Sequence, residues 1–294
     1  MIRRVLSLLT ALAAVVAALV VLPAATAQAA TCATAWNSSA VYTGGQSASY
    51  NGRNYTAKWW TQNERPGSSD VWADQGACGT GGGEQPGDNG FVVSEAQFNQ
   101  MFPNRNSFYS YSGLTAALNS YPAFANTGSD EVKKREAAAF LANVSHETGG
   151  LVHVKEVNEA NYPHYCDQSQ PYGCPAGQAA YYGRGPIQLS WNFNYKAAGD
   201  ALGIDLLNNP HLVEQNASVA WRTGLWYWNT QNGPGTMTPH NAIVDGRGFG
   251  ETIRSINGSI ECNGGNPAQV QSRIDKFTAF AQILGTTTGS NLSC

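Results

Sequence analysis

Glu147 and Glu156 stand nine residues apart, on either side of a glycine pair, in the stretch EAAAFLANVSHETGGLVHVKE at residues 136–156. Ala137, Phe140, Leu141 and Val144 recur at helical spacing, which predicts a helix with one buried stripe. Glu147 follows Val144 by three residues and Phe140 by seven, on or beside that stripe. Gly149 and Gly150 then end the helix. A carboxyl group at the end of a buried face is partly desolvated, which favours its protonated form and suits it to donate a proton. Glu156 lies past the break, on a loop. An acid on a helix end and a base on the next loop, facing each other across a cleft, are what hydrolysis of a glycosidic bond requires. The plainer account makes both glutamates solvated surface charges. Only 13% of the chain is Asp, Glu, Lys or Arg, which makes charge inside an apolar stretch harder to dismiss.

Other site chemistries lack their residues. His146-Glu147 opens like the zinc motif H-E-x-x-H, but Gly150 stands where the second histidine belongs. There is no G-x-S-x-G elbow and no phosphate-binding Walker loop, and Gly183-Arg184-Gly185 is too short for a dinucleotide turn. Neither metal nor cofactor is expected. A second polar stretch does stand out, YGRGPIQLSWNFNY at residues 182–195. Gln188, Ser190, Asn192 and Asn194 alternate there with Ile187, Leu189, Trp191 and Phe193. In a strand, alternation puts the amides and hydroxyl on one face, where they can hydrogen-bond sugar hydroxyls or hold a water. An ordinary amphipathic hairpin facing solvent has the same pattern.

The elements that must position these groups follow from composition. The chain has 294 residues, enough for one or two domains, with 42% hydrophobic residues, 32 glycines, 8 tryptophans and 13 tyrosines. The formal net charge is −3, with no basic run beyond residues 133–135, so nucleic acid is not an expected partner. Many aromatics and little charge suit a neutral, ring-shaped ligand. Arg3 and Arg4, an apolar run at 5–22 and the small-x-small site Ala27-Gln28-Ala29 read as an export signal over 1–29. A membrane anchor is the alternative; Pro23 and the small residues after it favour cleavage. The mature protein is then expected to be secreted, free of the membrane and monomeric. Export predicts disulfides among Cys32, Cys78, Cys166, Cys174, Cys262 and Cys294. The linker described next makes Cys32–Cys78 the natural first bridge. Of the three pairings left to the other four, Cys166–Cys174 would staple a short loop and Cys262–Cys294 would tie down the C-terminus.

Residues 30–78 form a small module. Asn51-Gly52 between short β-prone runs signals a hairpin, so an all-β unit held by one disulfide is expected. It holds Trp36, Trp59, Trp60 and Trp72, more than so small a core can bury. Adjacent Trp59 and Trp60 would point to opposite faces of a strand, leaving one ring as a platform for sugar. Residues 79–90, GTGGGEQPGDNG, read as a flexible linker. Residues 91–294 read as mainly helical. Ser94 and Gln97 form a capping box, and a helix over 114–121 stops at Pro122. Ser129 or Asp130 caps the helix that ends at Glu147, and one helix is expected over 213–228. Asn266-Pro267 caps a last helix striped by Val270, Ile274, Phe277, Ala281 and Leu284.

HETGG at 146–150 and YGRGPIQLSWNFNY at 182–195 resemble the two signatures of family 19 glycoside hydrolases, the chitinases first known from plants. NGSIEC at 257–262 and Arg273 also fit that pattern. AKWWT at 57–61 and VWADQGAC at 71–78 resemble chitin-binding modules of carbohydrate-binding families 5 and 12. Plant enzymes read HETTGG, one Thr more than here, and several plant loops are missing. The resemblance implies a mainly α, two-lobed, lysozyme-like domain with a small all-β chitin-binding module. It implies inverting hydrolysis of β-1,4-linked N-acetylglucosamine polymers, with Glu147 as general acid, Glu156 as general base and Ser190 holding the water. Gln188, Asn194, Arg222, Asn257 and Arg273 would line the cleft, and Glu261 would support its ion pairs. Trp59 and Trp60 would bind insoluble chitin. A lysozyme acting on peptidoglycan is the alternative, because the fold is shared.

Overall fold

The computed structural model describes residues 32–34, 36–37, 40–50, 53–78 and 90–294. The expected export signal, all of the linker but Gly90, and the Asn51-Gly52 turn lie outside the described residues. The chain divides into two compact units, one on each side of the Gly81–Gly82 bond.

The small unit is all-β. β1 (Val41–Tyr42) pairs with β4 (Thr61–Gln62). β2 (Ser47–Tyr50) pairs antiparallel with β3 (Arg53–Ala57), with Tyr50 opposite Arg53, and β5 (Trp72–Ala77) covers the other edge of β3. Its core is Ala48, Tyr55, Ala57, Val71 and Trp72, and Cys32–Cys78 closes the unit. Trp59 and Trp60 correct the expectation of one ring in and one out. They lie in the bend between β3 and β4 rather than in a strand, and both are exposed, at 56% and 59%. Among the described residues, the apolar core of this unit is five buried side chains, and neither ring belongs to it.

The large unit is helical and is built on α3 (Asp130–Glu147), capped by Ser129. The sequence suggested one buried stripe; instead every residue from Glu136 to Ser145 is buried. A helix apolar on all sides belongs at the centre of a core. α7 (Pro239–Val244), α8 (Phe249–Glu261) and α9 (Pro267–Ile283) pack on it. Phe140 meets Trp221 and Trp228 of α6 (Ala217–Thr230). The run of alanines in α3 is what lets these neighbours come close. α1 (Glu95–Met101), with its Ser94–Gln97 capping box, and α2 (Tyr111–Ala117) close the same core. A tight turn at Leu118–Ser120 ends α2 before Pro122.

A second core gathers Tyr181, Ile187, Leu189, Tyr195, Val213 and Trp226 around α4 (Asn192–Leu202) and α5 (Leu212–Gln215). The helix expected over 213–228 is broken at Asn216, which leaves the helical region and caps α6 through its side chain on the Val219 N–H. α6 carries residues of both cores, so the domain has two lobes sharing one helix. Gly224 lies where they meet: a Cβ there would stand 3.1 Å from Pro186 and 3.5 Å from Phe140. Cys166–Cys174 closes the loop before the second lobe, and Cys262–Cys294 fastens the C-terminus to the end of α8.

Candidate active site

A cleft of about 460 Å³ opens between the two cores. Glu147 and Glu156 both line it, with Gln188, Ser190 and Asn194 from one side and Asn257 from α8.

Glu147 is the last residue of α3, and its side chain is 19% exposed. The helix stops there because Thr148 turns its hydroxyl onto Val144 O at 2.6 Å and accepts from Leu151 N at 2.7 Å. Gly149 and Gly150, both left-handed, carry the chain away. Burial is only part of the environment of Glu147. Arg273 of α9, 1% exposed, donates to Glu147 Oε1 at 2.5 Å. The same guanidinium donates to both oxygens of Glu261, at 2.7 and 2.8 Å, and to Asn143 Oδ1 at 3.1 Å. Asn257 Nδ2 completes the set on Glu261 Oε1 at 2.8 Å. Burial pushes the Glu261 carboxyl up, but the hydrogen bond and charge of Arg273 outweigh it and hold it below the usual range. Beside Glu147, burial and then the charge of Arg273 push His146 down to about 4, so it is neutral at pH 7.

Glu156 is half-buried on the loop after α3. Its Oε1 accepts from Asn161 Nδ2 at 2.7 Å and from the Tyr165 hydroxyl at 3.1 Å. Its backbone is fixed by a three-segment ladder. Glu156 N donates to Gly183 O, and Gly185 N to Val154 O. Arg184 exchanges two hydrogen bonds with Leu189 on its other side. The segments carrying Glu156 and Ser190 are therefore held through the bridges that Arg184 makes to both. A Cβ at Gly183 would stand 2.9 Å from Gln188 Oε1 and 3.3 Å from Gln188 Cβ and Ser190 Oγ, so a side chain there would press on two residues of the cleft wall.

The alternation read over 187–194 does not lie on a strand. Gln188 takes a left-handed φ of 51°, and α4 begins at Asn192. Gln188, Ser190 and Asn194 reach the cleft through turn and helix geometry. Asn192 is fully buried and instead fastens the preceding loop, bonding Asp167 N, Asp167 O and Gly173 O. Arg222 is also corrected. It is not among the residues lining the cleft; its guanidinium donates to Ser120 Oγ and Leu202 O, tying the α2 turn to α4. Arg273 and Glu261 act on the cleft through Glu147 and Asn257. Tyr165 and Tyr227 line it without having been singled out by spacing. Tyr227 sits off the apolar stripe of α6, and Tyr165 ends the short 3₁₀ helix Glu159–Tyr165 beside Cys166, which has no buried residue and so no apolar stripe to mark it.

Residues 92–294 match the family 19 glycoside hydrolase model, chitinase class I, and residues 35–73 match carbohydrate-binding module family 5/12. Endochitinase A of Zea mays is 43% identical over 210 residues, 69% of this chain and 71% of its own. An endochitinase of Phaseolus vulgaris is 39% identical over 249 residues, 75% of each chain. Among solved structures, chitinase C from Streptomyces griseus HUT6037 is 82% identical, covering 90% of this chain and 100% of its own with a TM-score of 0.69. A family 19, class IV chitinase from Zea mays is 42% identical, covering 69% and 98% with a TM-score of 0.61. With its cleft carried by the matched region and its β unit by the module, the chain belongs to the family 19 chitinases, glycoside hydrolases, and bears an N-terminal carbohydrate-binding module of family 5/12.

Proposed function

We propose that the protein is a secreted, endo-acting chitinase that cleaves β-1,4 bonds between N-acetylglucosamine units with inversion. The observation that carries this is two carboxylates from different elements, Glu147 and Glu156, lining one cleft lined also by the polar side chains of Gln188, Ser190, Asn194 and Asn257. Protonated Glu147 gives its proton to the leaving glycosidic oxygen as the C–O bond breaks. Glu156 takes a proton from a water that attacks the anomeric carbon from the opposite face. Ser190, whose hydroxyl donates to Gln188 O at 2.9 Å, keeps oxygen lone pairs to orient that water. Arg273 stands ready for the carboxylate that Glu147 becomes. Trp59 and Trp60 hold the enzyme on solid chitin.

Glu147→Gln is expected to abolish hydrolysis, because no proton reaches the leaving oxygen. Glu156→Gln leaves a slow residue of activity, because a positioned water still reacts. Both variants keep oligosaccharide binding. Fresh product followed by NMR is expected to be the α anomer. A β anomer at first turnover would remove Glu156 as base. Colloidal chitin and bacterial cell walls, compared in a reducing-end assay, separate chitinase from peptidoglycan hydrolase; release from walls alone would reverse the substrate assignment.

A further inference from the structure

Two non-glycine residues of the cleft wall have left-handed backbone, Gln188 at φ 51° and Trp191 at φ 76°. A residue with a Cβ disfavours that region, a bulky one most of all. Strain of this kind persists where something else requires the side chain. Gln188 answers for its own position: its amide closes the turn on Gly185 O at 3.0 Å while lining the cleft.

Trp191 has no such account in the backbone. Its N–H donates to Tyr181 O, and its carbonyl accepts from Asn194 and Tyr195 as α4 begins. None of these bonds uses the indole, and no side-chain hydrogen bond caps the helix there. Glycine would serve all of them without strain. Nor is the ring core, since Trp191 is 37% exposed. It lines the same cleft as the two glutamates. Phe193 backs it near-parallel at 5.6 Å and Tyr165 meets it edge-on at 5.6 Å. Tyr165 is the residue whose hydroxyl donates to Glu156 Oε1. The indole is thus a braced, flat apolar surface in a polar cleft, one contact beyond the side chain that orients Glu156.

We infer that Trp191 is a platform on the Glu156 side of the cleft, stacking against the apolar C–H face of one N-acetylglucosamine ring. An aromatic face paired with nearby amides, here Asn194, fits a neutral pyranose, which is apolar on its faces and polar at its rim. This rests on the oligosaccharide reading of the cleft given above.

The test is calorimetric binding of chitotetraose to the full chain carrying Glu147→Gln, with Trp191 kept or changed to Phe, Ala or Gly. Trp191→Ala is expected to bind about tenfold more weakly, and Trp191→Phe to retain most of the affinity. Trp191→Gly is expected to melt above Trp191→Ala, because the strain is gone, yet to bind as weakly. That split separates a ring that touches sugar from one that only holds the loop. Unchanged affinity in Trp191→Ala overturns the platform alone. Recovery of affinity in Trp191→Gly also overturns it, by placing the effect in the backbone. Failure of the parent Glu147→Gln protein to bind chitotetraose overturns the oligosaccharide reading itself, and the platform with it.

Discussion

Arg273 is the residue on which the Glu147 side of the cleft depends. Its guanidinium is buried and carries bonds to Glu147, Glu261 and Asn143 at once. Glu261 has a fully buried side chain, and Arg273 is the one cation in an ion pair with it among the described residues. Removing one partner of such a pair leaves an uncompensated buried charge, at a cost of about 3–5 kcal/mol. Arg273→Met is therefore expected to lower unfolding stability by about that much in denaturant titration at pH 7. It should also remove most activity, because Glu147 loses its neighbour. A loss under about 1 kcal/mol would mean that water reaches Glu261 once the arginine is gone. Part of this was open to reading: Arg273 falls three residues after Val270 and four before Phe277, a cation on an apolar stripe, which demands a buried partner. Spacing did not give the partners: Glu261 is twelve residues away on another helix, and Glu147 and Asn143 lie over a hundred residues away. Glu147 itself was legible as the end of an apolar helix. Trp191 was not, since a left-handed tryptophan has no local signature.

The element that carries Glu147 is held at its middle as well as its end. Glu136 of α3 is fully buried and accepts from Ala125 N, from Trp228 Nε1 at 2.9 Å and from His240 Nδ1 at 2.6 Å. These bonds join α3 to α6 and α7 with one carboxylate. The hydrogen bond to Glu136 raises the His240 value above 6.5; burial opposes it, and the charges of Glu136 and Asp245 add to it. A folded value above the unfolded one means the stabilisation is fully present below about pH 6.5 and is lost as pH rises through the folded value. The melting gap between the wild type and His240→Ala should accordingly be widest in mild acid and narrow toward alkaline pH. A gap that stays constant or widens would remove His240 as the titrating group. Helix limits were well marked by caps, at Ser94, Ser129 and Asn266, because capping is local chemistry. The break at Asn216 was missed because apolar periodicity runs across it, although Asn is itself a capping residue. The burial of α3 on all sides was missed for a different reason: alanine packs on any face, so its pattern does not say how many neighbours surround it.

At the scale of the molecule, the division of labour follows from where the aromatics are. The large unit buries Trp221 and Trp228 completely, whereas the small unit leaves Trp59 and Trp60 more than half exposed. Two adjacent rings left in water would suit a ligand with flat apolar faces, and neither belongs to the five-residue apolar core of the unit's described residues. The large unit holds both of its hydrophobic cores and every residue lining the cleft. Binding to solid chitin and hydrolysis should then separate. In the full chain, Trp59→Ala with Trp60→Ala is expected to leave kcat and KM on soluble oligomers unchanged and to reduce retention on insoluble chitin by about tenfold or more. Residues 91–294 alone should behave the same way. The mechanism is effective concentration: a tethered module keeps the cleft near a surface that the cleft alone leaves after each encounter. The gain should therefore disappear on soluble substrate, where there is no surface to stay near. Equal binding of the double variant and the wild type to chitin would remove Trp59 and Trp60 as the platform. An equal loss on soluble oligomers would instead make the module part of the catalytic site.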